Sequence, residues 1–256
     1  MSKGINVLCG FHAIETALTA DRHSIGEIVH YGMKESSRLS NLLSRARSSG
    51  VKIRRAQKKE LDNLAGDVRH QGVVGLLVRV PGEGLSELRT WLNEFVGVPL
   101  ITILDGLEDP RNVGACLRTA AAARVDAVII PVKGGAGLTP AALRVAEGGF
   151  HRLKIFEVGN WSQVLKMLKT AGIWVLGASE KGSISLDEFD LTVPVAWIFG
   201  SEATGIRQIS EKHCDALVRV PTENDFPSLN VAVATGVALF ETKRQRKVHS
   251  KNCSSA

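Results

Sequence analysis

The chain has 256 residues, 44% of them hydrophobic and 23% charged, enough for a sizeable core and too unbiased for a disordered or fibrous chain. No apolar run reaches the roughly 20 residues of a bilayer span, and the first ten residues lack the apolar stretch of a secretory leader. A cytoplasmic protein without membrane contact is therefore expected. Cys9, Cys116, Cys214 and Cys253 are scattered without a C-x-x-C pair, and His12, His70, His151 and His213 are equally dispersed, so neither a disulfide framework nor a metal is expected. The net charge of +6 is unevenly placed: residues 1–80 hold 13 Lys+Arg against 7 Asp+Glu, while residues 81–256 balance at 19 each. A basic first third joined to a neutral remainder points to a polyanion, although a merely solvated surface has the same composition.

In chain order, Ala13–Ala20 reads as a helix and Glu27–Tyr31 as a strand. Arg38–Ser48 reads as a basic helix closed by Gly50, followed by a strand at Val51–Arg54, a short helix at Lys58–Leu64 and a β-branched strand at Val73–Val80. These make a small α/β domain over residues 1–80. Pro81, Gly82 and Gly84 punctuate the chain, and a linker at 81–98 carries a connecting helix, Leu85–Phe95. Leu100–Leu104 is a continuous apolar run, the mark of a strand buried on both faces. Similar runs follow at Ala127–Ile130, Ile155–Val158, Trp174–Ala178, Val195–Phe199 and Ala216–Val220, with helical stretches between several of them. That pattern is a parallel sheet flanked by helices over residues 99–246. A last helix is expected at Ser228–Lys243, capped by Ser228, and a basic tail at 247–256 is expected to lack regular structure.

Open parallel sheets bind ligands at the carboxyl ends of their strands, and three segments follow predicted strands. In Asp105–Thr119, Asn112 stands where a helix would begin, Gly114 permits close approach, and Arg118 follows within two turns, an arrangement suited to an anion. An ordinary capped helix with a solvated arginine fits the same residues. In Phe199–Gly205 two glycines bracket Glu202 after a buried strand; it is neither a Walker A loop nor a dinucleotide fingerprint. In Val220–Ala234 a proline-bounded loop leads through Ser228 and Asn230 into a helix with small residues.

Together, in this order and spacing, the segments resemble the three motifs of the SpoU family of knotted RNA ribose 2′-O-methyltransferases. Asn112, Gly114, Arg118 and Thr119 match the first, Gly200, Glu202 and Gly205 the second, and Pro221, Ser228, Leu229, Asn230, Val231, Val233 and Ala234 the third. Gly10-Phe-His-Ala13 and His70-Gln-Gly72 add to the likeness, which spans roughly residues 5–246. The resemblance implies a trefoil-knotted, parallel-sheet α/β methyltransferase domain preceded by a small L30e-like α/β domain that binds RNA, and a homodimer. It implies S-adenosyl-L-methionine as cofactor, held by Gly200, Glu202, Gly205, Val220, Ser228 and Leu229. The implied substrate is ribosomal RNA, first a guanosine of 23S rRNA; a transfer RNA, another rRNA site, or an inactive RNA-binding assembly factor are the alternatives. Arg118, Glu202, Asn230 and Ser228 are the implied catalytic residues, with Asn112 and Arg118 on the RNA side. Arginine is essentially always protonated, so Arg118 fits a holder of phosphate and of developing negative charge better than a base. Thr222, Asn224 and Asp225-Phe-Pro227 depart from the family's third motif, as does Ala146-Glu-Gly-Gly-Phe150 after the second helix.

Overall fold

The computed structural model describes residues 7–20, 25–32, 36–77, 82–147, 149–223 and 228–254. A smaller sheet is made by β1 (Val7–Cys9), β2 (Ile25–His30), β3 (Lys52–Arg55) and β4 (Val73–Leu77), with α1 (Phe11–Ala20), α2 (Ser37–Ser48) and α3 (Lys58–Ala65) in the connections. The strand order is β1-β4-β2-β3, antiparallel at β4 and parallel between β2 and β3. The expected final strand continues on paper to Val80, but Val78–Val80 lie outside the described residues. On α2, Leu39, Leu42, Leu43 and Ala46 recur at helical spacing and are buried, which leaves Arg38, Arg45 and Arg47 outward. Ser36 accepts from the Leu39 amide at 3.2 Å and starts the helix.

The larger sheet is built from β5 (Gly82–Glu83), β6 (Leu100–Asp105), β7 (Ala127–Pro131), β8 (Lys154–Val158), β9 (Trp174–Ala178), β10 (Ile184–Ser185), β11 (Val195–Gly200) and β12 (Ala216–Arg219). Its order is β10-β12-β9-β11-β6-β7-β8-β5 and every pairing is parallel. The connections carry α4 (Leu85–Glu94), α5 (Pro110–Ala122), α6 (Pro140–Val145), a 3-10 turn at Gly149–Arg152, α7 (Trp161–Thr170), α8 (Gln208–Glu211) and, after β12, α9 (Val231–Ser254). Both faces are covered. Leu100, Leu104, Trp197 and Phe199 join the core under α5 and α9, and Ile101, Ile103, Ala196 and Ile198 join the core under α4 and α7. Burial on both faces is why these strands read as unbroken apolar runs rather than alternating ones. The chain works outward from β6 through β7 and β8, then returns to β6's other side, where β11 pairs with it from Val195↔Leu100 to Gly200↔Asp105. That reversal is where an open α/β sheet forms its crevice.

Two expectations are corrected here. The stretch expected as a linker belongs to the larger sheet: Gly82 and Glu83 pair with Ile155 and Phe156, and Leu88 of α4 is fully buried. A two-residue strand has no periodicity to announce it. The last helix also does not stop at Lys243, because α9 continues to Ser254 through the region expected as an irregular tail. No Gly or Pro occurs between Val237 and Ser254, the residues there are mostly good helix formers, and Glu241 pairs with Arg244 at 2.8 Å one turn on.

The extension has a structural use. Arg246 donates to four carbonyl oxygens: Leu191 at 3.1 Å, Val98 at 2.8 Å, Pro99 at 3.0 Å and Val193 at 2.7 Å. It thereby ties α9 to the entries of β6 and β11. Burial pulls its pKa below the usual arginine value, with Asp126 partly opposing. Arg246→Met keeps the stem but leaves these acceptors without their donor, and a loss of about 2–4 kcal/mol in unfolding free energy is expected from urea melts. An unchanged midpoint would remove Arg246 from the list of supports.

The small domain rests on the large one. β1 touches α6, α1 touches the 3-10 turn, and Arg144 Nη1 donates to the Arg69 carbonyl at 2.8 Å.

Candidate active site

All three sequence segments arrive at the carboxyl rim of the larger sheet. The first begins at Asp105, which ends β6 fully buried. α5 starts earlier than Asn112: Asp109 is the N-cap, its carboxylate accepting from the Arg111 amide at 2.8 Å, and Pro110 takes the first helical position. Asn112 therefore lies in the first turn. Gly114 is required by packing, since a Cβ there would stand 2.3 Å from the Ala142 carbonyl oxygen on α6.

The second segment leaves β11 as a closed loop. Ser201 and Gly205 exchange backbone hydrogen bonds at 3.0 and 2.8 Å, and the Thr204 amide donates to Ser201 Oγ at 3.2 Å. Gly205 has φ +69, whereas Gly200 is constrained by space: a Cβ would meet Gly205 C at 2.1 Å and Ile206 N at 2.2 Å. The loop's exit is fastened to β6, where Asp105 accepts from the Arg207 amide at 3.0 Å and from its Nε at 2.5 Å. The Arg207 guanidinium also lies 4.8 Å from the Trp161 ring centre. Sequence reasoning passed over both Asp105 and Arg207. The available signal was a carboxylate closing an otherwise apolar buried strand.

The third segment ends on Asn230, not Ser228, as the cap of α9: Asn230 Oδ1 accepts from the Ala232 amide at 2.9 Å. Ser228 instead lines a cleft with Leu229. Thr222 is exposed; Asn224 and Asp225-Phe-Pro227 lie outside the described residues, as does Gly148.

Asn112 of the first segment meets one residue from each of the other two. Asn112 Nδ2 donates to Glu202 Oε1, and Asn230 Nδ2 donates to Asn112 Oδ1 at 3.2 Å. Side chains 90 and 118 residues apart in sequence thus form one polar chain. Beneath it, Cys116 on α5 and Thr235 on α9 approach to 3.5 Å. Asn112, expected on the RNA side, is the bridge between the other two.

Beside this chain is a cleft of about 430 Å³ lined by Ala178–Lys181, Phe199–Ile206 and Ser228–Val231 among others. It adjoins a hollow of about 400 Å³ that adds Arg219, Val220, Pro221 and Thr222. A roomier groove of about 630 Å³ between α4 and α7 contains none of the motif residues.

Arg118 is not part of the Glu202–Asn112–Asn230 chain. It is exposed on α5 and pairs with Glu147 Oε1 at 2.9 Å. Glu147 has φ +47, and the turn after it packs on α5, where a Cβ on Gly149 would lie 3.5 Å from Arg118 Cα. The segment that departs from the family pattern is therefore the one that holds the Arg118 guanidinium.

No described helix is long and apolar enough to cross a membrane. Among the described residues no group of three or more His, Cys, Asp or Glu could hold a metal ion. Burial raises the thiols of Cys9, Cys116 and Cys214 to about 11, about 12 and about 12. The thiolate is the reactive form, so iodoacetamide at a pH of about 8 is expected to spare these three positions in the native protein. Cys9 and Cys116 are buried and Cys214 partly so, and peptide mapping that finds Cys9 or Cys116 alkylated would contradict their burial.

Comparison with known proteins bears on this geometry. A model of the SpoU rRNA Methylase family matches residues 99–240, and a model for RNA 2′-O ribose methyltransferase substrate binding matches residues 7–80. The 23S rRNA (guanosine-2′-O-)-methyltransferase RlmB of Pseudomonas syringae pv. tomato is 40% identical over 245 residues, 94% of this chain and 96% of that protein. Its namesake from Xanthomonas axonopodis pv. citri is 36% identical over 246 residues, 96% of this chain and 99% of the other. The crystal structure of the SpoU methyltransferase AviRb from Streptomyces viridochromogenes, in complex with the cofactor AdoMet, superposes with a TM-score of 0.79 at 21% identity. That superposition covers 94% of this chain and 90% of AviRb, and at that identity it speaks to the fold. With both family models matched in sequence order and near-full-length relatives at 35–40% identity, the chain belongs to the SpoU rRNA methylase family.

Proposed function

We propose that this chain transfers a methyl group from S-adenosylmethionine to the ribose 2′-hydroxyl of a guanosine in 23S rRNA. The observation that carries the reading is the Glu202–Asn112–Asn230 chain standing beside a cleft at the sheet's reversal. The relatives named above, matched almost end to end, supply the substrate.

The residues present fit the cofactor. The cleft is walled by Gly200–Gly205 and Ser228–Val231, and its loop is closed tightly enough that a Cβ at residue 200 would strike the backbone of Gly205 and Ile206. Gly200, Glu202, Gly205, Val220, Ser228 and Leu229 are its holders. When bound, S-adenosylmethionine supplies an electrophilic methyl on sulfonium. Glu202 and Asn230, already tied through Asn112, orient the ribose from one side, and orientation alone lowers a barrier substantially. Ser228 offers a hydroxyl at the same edge. Arg118 holds the neighbouring phosphate and stabilises negative charge as it develops on the 2′-oxygen. Its contact with Glu147 keeps the guanidinium aimed until phosphate replaces the carboxylate.

The segments at 200–205, 220–223 and 228–231 belong to the family's trefoil knot in this reading, and the enzyme works as a cytoplasmic homodimer. Val233, Val237 and Phe240 support the dimer: they recur at helical spacing and are 51%, 39% and 52% exposed, while the opposite face of α9 is buried. Phe240→Arg is expected to turn a dimer into a monomer in sedimentation, with a loss of about 2 kcal/mol or more of association energy. A monomeric parent protein would refute the dimer.

The function is tested by methyl transfer from labelled S-adenosylmethionine to unmodified 23S, 16S and transfer RNA, followed by mapping of the modified ribose. A single 2′-O-methylguanosine in 23S rRNA is the expected result. Label elsewhere would keep the chemistry and overturn the substrate; no label, from folded protein, would overturn the chemistry.

A further inference from the structure

Gly10-Phe-His-Ala13 and His70-Gln-Gly72 have no part in the three-segment site, yet the small sheet brings them together. β4 runs antiparallel to β1 and β2, and β2 is parallel to β3, so the residues that follow β1, β2 and β3 share one rim with those that precede β4. The rim is stitched by backbone bonds: Gly10 N to Val73 O at 3.1 Å, Tyr31 N to Gly72 O at 2.8 Å and Ala56 N to His30 O at 2.9 Å.

Tyr31, the chain's single tyrosine, stands on this rim 44% exposed. Beside its backbone partner Gly72 is the exposed Gln71. The His70–Val73 turn is closed at 3.0 Å and has φ +54 at Gln71 and +84 at Gly72. Positive φ at both central positions favours Asn and Gly, and glutamine is rarely found there. His70 braces the turn by accepting from the Gly72 amide at 3.0 Å and meeting Asp62 at 2.9 Å. The Gln71 amide lies over Gly10, whose missing side chain makes room: a Cβ there would stand 3.2 Å from Gln71 Oε1. A glutamine held in an unfavoured backbone, with its amide left exposed, points to use of that amide. The exposed Arg55, Lys58, Lys59 and Arg69 nearby have no carboxylate partner among the described residues.

The rim is joined to α5 through α1 and the 3-10 turn. α1, which begins at Phe11, touches the turn at Gly149–Arg152, and that turn packs on α5 at Arg118.

We propose that this rim receives one unpaired base of the RNA, stacked on Tyr31 and hydrogen-bonded at its edge by the Gln71 amide, with Arg55, Lys58 and Arg69 facing the adjoining phosphates. Unstacked bases are what aromatic side chains and amides recognise in RNA, because the edges of an A-form duplex are hard to reach. The amide's paired donor and acceptor match the two kinds of group a base edge offers. This inference rests on the RNA-directed function above.

The test uses the full chain, a 23S rRNA transcript, a short single-stranded oligoribonucleotide and a duplex RNA of equal length. Tyr31→Ala is expected to raise the Kd for transcript and single strand, and the KM for methylation, by about tenfold, while Tyr31→Phe stays near the parent. Gln71→Asn suits the turn better, so Tm is expected to hold or rise while KM rises severalfold. In each variant kcat at saturating RNA, the affinity for S-adenosylmethionine and binding of the duplex stay unchanged. Parent-like RNA affinity in Tyr31→Ala and Gln71→Asn would overturn the proposal, as would losses that track a fall in Tm. If the parent itself neither binds nor methylates the transcript, the functional reading fails and takes the rim with it; if the parent is active and the variants match it, the rim alone fails.

Discussion

Arg118→Ala is expected to lower kcat for RNA methylation by about 10²–10³-fold, the range seen when a preorganised charge-stabilising donor is removed. The fold should survive, because the side chain is 58% exposed and its one ion pair among the described residues is with Glu147, itself 50% exposed. Exposed pairs of this kind contribute about 1 kcal/mol or less. Affinity for S-adenosylmethionine should also hold, since Arg118 does not line the cleft. Single-turnover rates, a thermal melt and a cofactor titration check the three parts separately. Parent-like turnover from folded Arg118→Ala would remove the arginine from the chemistry. Glu147→Ser is a useful companion: it frees the guanidinium without deleting it and should leave most of the activity intact.

Gly200→Ala and Gly205→Ala should differ sharply although they sit in one loop. At Gly205 the difficulty is conformational, with φ +69 but open space around a new Cβ, and a left-handed alanine costs about 1–2 kcal/mol. At Gly200 the difficulty is steric and the obstacle is backbone, at 2.1 and 2.2 Å from the added carbon. That cannot be relieved by a rotamer, so the loop itself must move by roughly 1 Å, a displacement that can cost on the order of 10²-fold at a preorganised site. Calorimetry is expected to find affinity for S-adenosylmethionine about a hundredfold weaker in Gly200→Ala and only modestly weaker in Gly205→Ala. Equal effects would mean that the cleft is not shaped by the approach of residue 200 to residues 205 and 206.

Much of the fold was legible because burial on both faces leaves a simple trace. Trp174–Ala178 was bounded correctly, and the runs from Leu100 and Val195 were extended by a single residue each, to Asp105 and Gly200. What escaped has physical reasons. β5 and β10 are two residues long and have no period. The start of α9 was ambiguous because Ser228 and Asn230 are both good caps, and only the bond from Ala232 decides between them. The end of α9 was misplaced because its apolar pattern fades after Leu239, whereas helix propensity and the grip of Arg246 persist.

The candidate site divides in the same way. Asn112, Glu202 and Asn230 could each be picked out from local spacing, but their direct contact could not, because it depends on how strands 100 residues apart are ordered in the sheet. Asp105 and Arg207 escaped because each is unremarked in its own neighbourhood and acquires meaning only from the other. Glu147 was noticed as a departure, and its partner Arg118 became visible only once α6 and the following turn were packed against α5.

The pairing of β6 with β11 bears on how the chain is made. Leu100 must wait for Val195 before its strand is flanked on both sides, and synthesis at about 5–20 residues per second puts roughly 5–20 s between the two. The small sheet, finished by Leu77, can be complete well before then. An apolar strand meanwhile stays half covered on the ribosome, and Arg246, which fastens the entries of both strands, emerges later still. Nascent chains stalled before residue 195 should accordingly be the ones that engage chaperones, and release should follow the exit of α9.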